Sequence, residues 1–436
     1  MTRIKLDTNT VVKNIKPMHG GGQPPLGGKD QTGYFHYLSE AGIPFSRLHD
    51  VGGPFGGYRY VDIPNIFRNF DSDENDPESY DFTFTDLLIK GLIDAGVEPY
   101  YRLGITIENQ SHIKAYHTHP PKDFAKWARI CEHIIRHYTE GWADGYRYNI
   151  RYWEIWNEPE VQDKMMWCGT DEEYYRLYDV AAKHLKKCFP HLKIGGYASC
   201  GFYAIAPEER VDPITYQRGT VPPSDHEQNL MNFFYGFFDY VKEHGSPIDF
   251  FSWHSYADVR RVEVMDRWLH AELEKLGFAG LETHLNEWNP YFTEYGTAHH
   301  SAEVAAMMLA LQHGYTDACM IYDMKNTNSS FCPLFDIKTK KPIHAYYSLV
   351  AFNQLYKLGK QIRSESDNAR VYAVGATDGK KYALMIANLS GEKQELKIEG
   401  ADLRDARIYE IGDAGALAWA PGCSAIENNR VILIEW

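Results

Sequence analysis

Ile150-Arg151-Tyr152-Trp153-Glu154-Ile155-Trp156-Asn157 is a short apolar and aromatic run that closes on a polar residue, and a segment of different period follows it. In 171–188, Tyr174, Tyr178, Ala181, Leu185 and Cys188 recur at steps of four and three, one stripe along a helix. Residues 192–198 then return to strand texture. Strand, helix and strand in that order make one unit of a parallel sheet. Working outward, the same alternation runs from about residue 15 to about residue 357. It predicts strands at 14–19, 44–49, 97–103, 150–157, 192–198, 248–255, 281–287 and 318–323. Helices are predicted at 29–41, 82–94, 121–139, 171–188, 227–244, 259–276, 298–313 and 343–357. Eight strands, each with a helix, is the count of a closed (β/α)8 TIM barrel. The competing doubly wound open sheet would want a Gly-x-Gly-x-x-Gly turn after its first strand.

Beyond Gly359 the texture changes. Segments 369–375, 381–389, 394–399, 406–411 and 430–436 are short and β-rich, separated by turn signals such as Asp378-Gly379 and Ser390-Gly391-Glu392. The expected organisation is α/β: a catalytic barrel over 13–358 and a small C-terminal antiparallel β-sandwich over 359–436, joined by an N-terminal strand in 1–12.

The chain of 436 residues is 44% hydrophobic and 24% charged, which excludes a disordered polymer. A formal charge of −14 repels phosphate backbones, so no nucleic acid partner is expected. Aromatic residues reach 14%, with 31 Tyr and 10 Trp, a supply suited to stacking on flat ligand faces such as sugars. The N-terminus has no apolar signal region, and no window approaches the ~18 apolar residues of a membrane span. The expectation is a cytoplasmic protein without a membrane partner. Seven cysteines, odd in number and never in a Cys-x-x-Cys pair, read as reduced thiols.

Active sites of such barrels lie at the C-terminal ends of the strands. Two ends stand out: Tyr152-Trp153-Glu154-Ile155-Trp156-Asn157-Glu158-Pro159 on the fourth strand and His284-Leu285-Asn286-Glu287-Trp288-Asn289-Pro290 on the seventh. Both set a carboxylate beside Asn and Trp. Glycoside hydrolysis needs two carboxyl groups about the scissile bond, ~5–5.5 Å apart if configuration is retained and ~6.5–9.5 Å if it is inverted. Strands four and seven face each other across a barrel mouth, so Glu158 and Glu287 can meet. A lone strand-end glutamate is more often a loop cap or a surface ion pair; two with matching neighbours are harder to dismiss. Glu154 lies two pleats below Glu158 and would need a buried partner such as Arg, which makes it structural.

Trp156-Asn157-Glu158-Pro159, Asn286-Glu287-Trp288-Asn289 and, on the sixth strand, Asp249-Phe250-Phe251-Ser252-Trp253-His254-Ser255-Tyr256 resemble the clan A glycoside hydrolases. The barrel joined to a short sandwich is most similar to glycoside hydrolase family 39, the β-xylosidase and α-L-iduronidase family. The resemblance implies Glu158 as general acid/base and Glu287 as nucleophile, with Asn157 on the hydroxyl beside the reacting carbon and Tyr256 donating to Glu287. The negative charge of Glu287 is expected to raise the pKa of Glu158. His254 and His49 would be rim or hydroxyl contacts, and Trp288, Trp253 and Trp156 stacking platforms. Phe45-Ser46-Arg47-Leu48-His49-Asp50 matches the family's Arg-x-His on the second strand loosely, which puts Arg47 among the substrate contacts. Tyr322-Asp323-Met324 on the eighth departs from the pattern. The implied activity is a retaining glycosidase, exo-acting on a xyloside or similar pentose-containing oligosaccharide, with no cofactor and no metal. An α-L-arabinofuranosidase, an endo-glycanase and a non-catalytic carbohydrate binder remain the alternatives.

Several other signals are weaker. His133 and His137 have metal spacing but read as a solvated helix face. His112, His117 and His119 form a loop cluster near the third strand's end. Gly20–Lys29 imitates a phosphate loop with its Lys one place late, and reads as a flexible strand-to-helix loop. Gly52–Gly57 supplies turns, and Asp71–Asp76 lacks the Gly and closing Glu of a calcium loop.

Overall fold

A computed structural model describes residues 1–52, 60–107, 116–206, 222–290, 294–327, 331–422 and 424–436. Gly53–Gly57, His112 and Cys423 lie outside the described residues. The strands are β1 (Thr2–Asn14), β2 (Gly20–Gly22), β3 (Phe45–Leu48), β4 (Glu98–Leu103), β5 (Tyr152–Ile155), β6 (Lys193–Ser199), β7 (Phe250–Ser255), β8 (Glu282–Trp288), β9 (Ala318–Ile321), β10 (Lys360–Ser366), β11 (Val371–Thr377), β12 (Tyr382–Asn388), β13 (Gln394–Glu399), β14 (Arg407–Ile411), β15 (Leu417–Trp419), β16 (Ala425–Ile426) and β17 (Arg430–Glu435). The helices are α1 (His36–Ala41), α2 (Ile63–Ile66), α3 (Thr83–Asp94), α4 (Phe124–Thr139), α5 (Asp171–Cys188), α6 (Asp225–His244), α7 (Val259–Leu276), α8 (Ala298–His313) and α9 (His344–Leu358).

Strands β2 to β9 pair in parallel and close, β2 against both β3 and β9, into the expected eight-stranded barrel. Its lower interior is filled by Phe45, Tyr100, Tyr152, Phe250, Ala318 and Met320, a packed layer that leaves only the upper end free for chemistry. The first strand is displaced from its predicted place. Of residues 14–19 only Asn14 is in a strand, as the last residue of β1, and Pro17 lies among the rest, whereas the glycines read as a flexible loop form β2. The reason is steric: a Cβ on Gly20 would stand 2.8 Å from the Cys319 carbonyl oxygen, and one on Gly21 2.3 Å from Met324 Sδ. Only glycine lets this strand close the barrel, and three glycines carry no strand pattern.

The remaining strands form one continuous nine-stranded sheet in the order β15-β14-β17-β12-β11-β10-β1-β13-β16. β1 enters between β10, antiparallel, and β13, parallel, so the chain's start and end are zipped together. One face, with Tyr372, Val374, Met385 and Leu433, shares a core with the barrel. The other encloses Ile4, Leu6, Leu384, Ile386, Ile432 and Ile434. Helix α8 lies between sheet and barrel and is buried on nearly every residue, as its all-round apolar sequence requires.

Candidate active site

The strand that opened the sequence analysis breaks its own pleat. Trp156 and Glu158 have positive φ, 73° and 43°, so inward and outward no longer alternate after Ile155. Glu154 points into the barrel. Trp156 swings the other way, its Nε1 donating to the Met166 carbonyl at 2.9 Å and its ring edge-on to Trp167. Asn157 and Glu158 are thereby lifted to the mouth. Trp156, expected to stack on sugar, is a packing residue because of this twist.

Arg47 is the second correction. Expected among the substrate contacts, it lies beneath the mouth, 1% exposed, with each of its three nitrogens bonded to protein. Nε donates to Glu154 at 2.8 Å, Nη1 to Glu287 at 3.0 Å, and Nη2 to the Asn157 side-chain oxygen. Glu154 is completed by Asn286 Nδ2 at 2.6 Å. One guanidinium fork thus orients residues from β5 and β8 together. Burial alone would lower the pKa of Arg47, but Glu154 and Glu287 outweigh it and hold the cation charged.

Glu158 and Glu287 converge. One oxygen of each lies within 4.8 Å of the other, and the Nδ1 of His254 is within the same distance of both. His254 Nδ1 is 2.7 Å from Glu158 and 3.8 Å from Glu287. Tyr256 donates its hydroxyl to the remaining oxygen of Glu287. The two carboxyls differ electrostatically. Burial pushes Glu158 up to about 7, against the opposing pull of Arg47 and a hydrogen bond from the Cys200 thiol. Burial, rather than the charge of Glu287, raises it. Burial also raises Glu287, but Arg47 and the Tyr256 hydroxyl oppose the shift. His254 is driven down to about 4 by burial and is neutral near pH 7.

Asn157 has no partner for its amide nitrogen among the described residues, and Trp288 and Trp253, expected to stack on sugar, are fully buried in the hydrophobic core and offer no free face. His49 is also buried; its Nε2 is 3.3 Å from Asp50 and burial drives its pKa well below the usual value. His117 and His119 instead line a side cavity of about 350 Å³ with Phe67, Phe70, Trp127 and Trp156. His137 is buried and bound to Asp86 at 2.9 Å, not on a solvated face.

Four groups were missed. Glu160 accepts from Cys200 N at 2.7 Å and Ser199 Oγ at 3.0 Å, and burial lifts it to about 8; it follows Glu158 by two residues and could have been read from the same stretch. Asp50, Asp323 and Lys325 sit at the ends of β3 and β9, where the motif departed from pattern. Outside the barrel mouth, Glu132, His184 and Cys188 have ligand spacing between α4 and α5. Arg136 already occupies that Glu132 carboxylate, and burial raises the Cys188 thiol, so the donor set suits a cation poorly.

A closed parallel barrel with glutamates on β5 and β8 meeting over an arginine places the chain among the clan A glycoside hydrolases. Residues 56–362 match the model of glycosyl hydrolases family 39, and the chain belongs to that family. It is similar to a beta-xylosidase of Caldicellulosiruptor saccharolyticus, 29% identical over 226 residues that are 50% of this chain and 37% of that protein. A beta-xylosidase of Geobacillus stearothermophilus is 24% identical over 342 residues, 69% of this chain and 60% of the relative. The match thus spans less than two thirds of either relative's length. The crystal structure of a glucosidase from Croceicoccus marinus, 18% identical, superimposes with a TM-score of 0.79 over 100% of this chain and 98% of that one, a shared fold.

Proposed function

We propose that the chain is a retaining glycosidase, exo-acting on a xyloside or similar pentose-containing oligosaccharide by double displacement. The observation that carries this reading is the pair of carboxyls whose nearest oxygens are within 4.8 Å, the spacing of retention rather than inversion. In the first step the Glu287 carboxylate, whose burial-raised pKa Arg47 and Tyr256 hold back, attacks the anomeric carbon. The bond to the leaving oxygen breaks as Glu158 gives that oxygen its proton. In the second step Glu158, now carboxylate, takes a proton from water, whose oxygen attacks the same carbon and releases Glu287. Asn157, whose amide N–H has no partner among the described residues, is the donor to the hydroxyl beside the reacting carbon, and His254 keeps Glu158 aimed.

The beta-xylosidase relatives support the xyloside, and family membership supports hydrolysis of a glycosidic bond. Glu287→Gln keeps the shape and removes the nucleophile, so hydrolysis of an aryl β-xyloside should fall by more than a thousandfold while Asn157 and Arg47 stay in place. A 2-fluoro-xyloside should become covalently attached to Glu287 in the parent protein, detected by mass after digestion. Turnover by the Gln variant at the parent rate ends the nucleophile assignment. Product of inverted configuration in the first minutes of a proton NMR time course would end retention. A panel including aryl arabinofuranoside, aryl glucoside and xylan separates the exo-xyloside reading from its competitors.

A further inference from the structure

Three neighbouring strand ends, β9, β2 and β3, form the sector of the mouth opposite the end of β5 that presents Glu158. Several polar groups in this sector are buried with few partners among the described residues. Gln23, fully buried after β2, has a side-chain contact with the Tyr322 hydroxyl; His49 has no hydrogen-bond partner at Nδ1 among the described residues, and Asp323 Oδ2 faces the Lys325 ammonium. Folded proteins rarely leave such groups idle. Lys325 stands among them. Its ammonium pairs with Asp323 Oδ2 at 3.4 Å, one contact for a group with three N–H donors. Its side chain is 12% exposed, so it is not sealed within packed protein. Asp50 lies within its electrostatic reach and is fixed by Tyr322 at 3.2 Å and by the Ile107 amide at 3.1 Å.

We propose that Lys325 is the specificity-determining donor of the glycone pocket, binding a sugar hydroxyl on the side of the ring remote from the reacting carbon, with His49 and Gln23 taking its neighbours. This deepens the glycosidase reading and rests on it. The chemistry recognised is a neutral polyhydroxyl ring. Two carboxylates, Asp50 and Asp323, accompany the one ammonium, so the sector is net negative and repels a uronate or a phosphorylated sugar. The sector offers donors in Lys325, Gln23 and His49 and acceptors in Gln23 and Asp323, which suits vicinal hydroxyls, each both donor and acceptor. The position also fits the direction of the reaction. With Glu158 on the far side, the leaving group departs toward β5 and β6 while the retained sugar is held against β9, β2 and β3.

The test is a cycle between one hydroxyl and one side chain. Aryl β-xyloside and its 3-deoxy and 4-deoxy analogues are turned over by the parent protein and by Lys325→Met, with kcat and KM measured separately. A hydrogen bond from a charged donor predicts that removing the hydroxyl it binds lowers parent kcat/KM on the order of tenfold to a hundredfold. The same removal should cost the Met variant less than about threefold, and the Met variant should raise KM for the full xyloside more than it lowers kcat. Equal deoxy penalties in both proteins overturn the assignment. So does a parent preference for aryl glucuronide over aryl xyloside that the Met variant abolishes. Fluoro-xyloside trapping and the melting curve check that the variant is folded; if it is not, Lys325→Gln carries the same cycle. A parent protein inert on every glycoside sinks the functional reading itself, before the cycle begins.

Discussion

Glu158 has to hold a proton at the pH where Glu287 must not, and the two surroundings divide the task. Glu158 meets a neutral imidazole and a thiol, whereas Glu287 meets a guanidinium and a phenol. The alkaline limb of kcat/KM should therefore fall near pH 7, where Glu158 loses its proton. Glu158→Gln should abolish that limb, and azide should restore turnover of an activated aryl xyloside to give the β-xylosyl azide. A limb unmoved in the variant assigns the titration elsewhere. The same raised pKa sets a stability cost. Below the ordinary glutamate range both folded and unfolded chains carry the proton. Between that range and pH 7 only the folded chain does, so stability falls as pH rises and the full penalty applies above 7. Glu158→Gln should gain up to about 3 kcal/mol at pH 8 and nothing at pH 4, read by denaturant titration. The paired carboxylates were legible in the sequence because Asn and Trp flank both. The roles of Trp156 and Arg47 were not. A positive φ at Trp156 rotates everything beyond it, and no residue pattern announces that twist in a non-glycine.

At the scale of elements, periodicity served wherever a segment had one buried face. Helix α5 carries its stripe and also a capping box, the Thr170 side chain accepting from Glu173 N and Glu173 returning the contact. It failed where packing demanded glycine. β2 is three glycines; β6, predicted at 192–198 because apolar residues flank its Gly195-Gly196, packs as closely, and a Cβ on Gly195 would stand 2.2 Å from the Phe250 carbonyl oxygen. Because backbone rather than a flexible side chain blocks the space, Gly195→Ala should force β6 and β7 apart at a cost of about 1–3 kcal/mol, or more if the ladder between them breaks. Denaturation midpoint reports the loss. An unchanged midpoint would mean that β6 can shift without penalty, and then close approach is not why glycine stands there.

Taken whole, the molecule is two sheets sharing one layer of helices. The sequence showed a change of texture after Gly359, but not that β1 is threaded between β10 and β13, nor that the terminal strands make one continuous sheet rather than separate halves, because strand order lies in long-range pairing that local alternation does not encode. This arrangement couples the sheet to the barrel. Leu433, 1% exposed on β17, belongs to the barrel's core, and Gln312 on α8 binds Gln361 at 2.7 Å, the Asn14 carbonyl at 3.1 Å and the Lys16 amide at 2.7 Å, stitching β10 and the end of β1 to the helix layer. Leu433→Ala removes a side chain from this shared layer, where neighbouring backbone cannot collapse to fill the space, and should cost about 2–5 kcal/mol. If sheet and barrel unfold as one unit, the loss appears as a single transition at lower temperature, with tryptophan fluorescence, to which eight barrel tryptophans and only Trp419 and Trp436 of the sheet contribute, coinciding with far-ultraviolet dichroism and with loss of fluoro-xyloside trapping. A dichroism step that precedes the fluorescence step, with trapping retained between them, would mean that the sheet melts alone and that the barrel mouth owes its geometry to β2–β9 and their helices only.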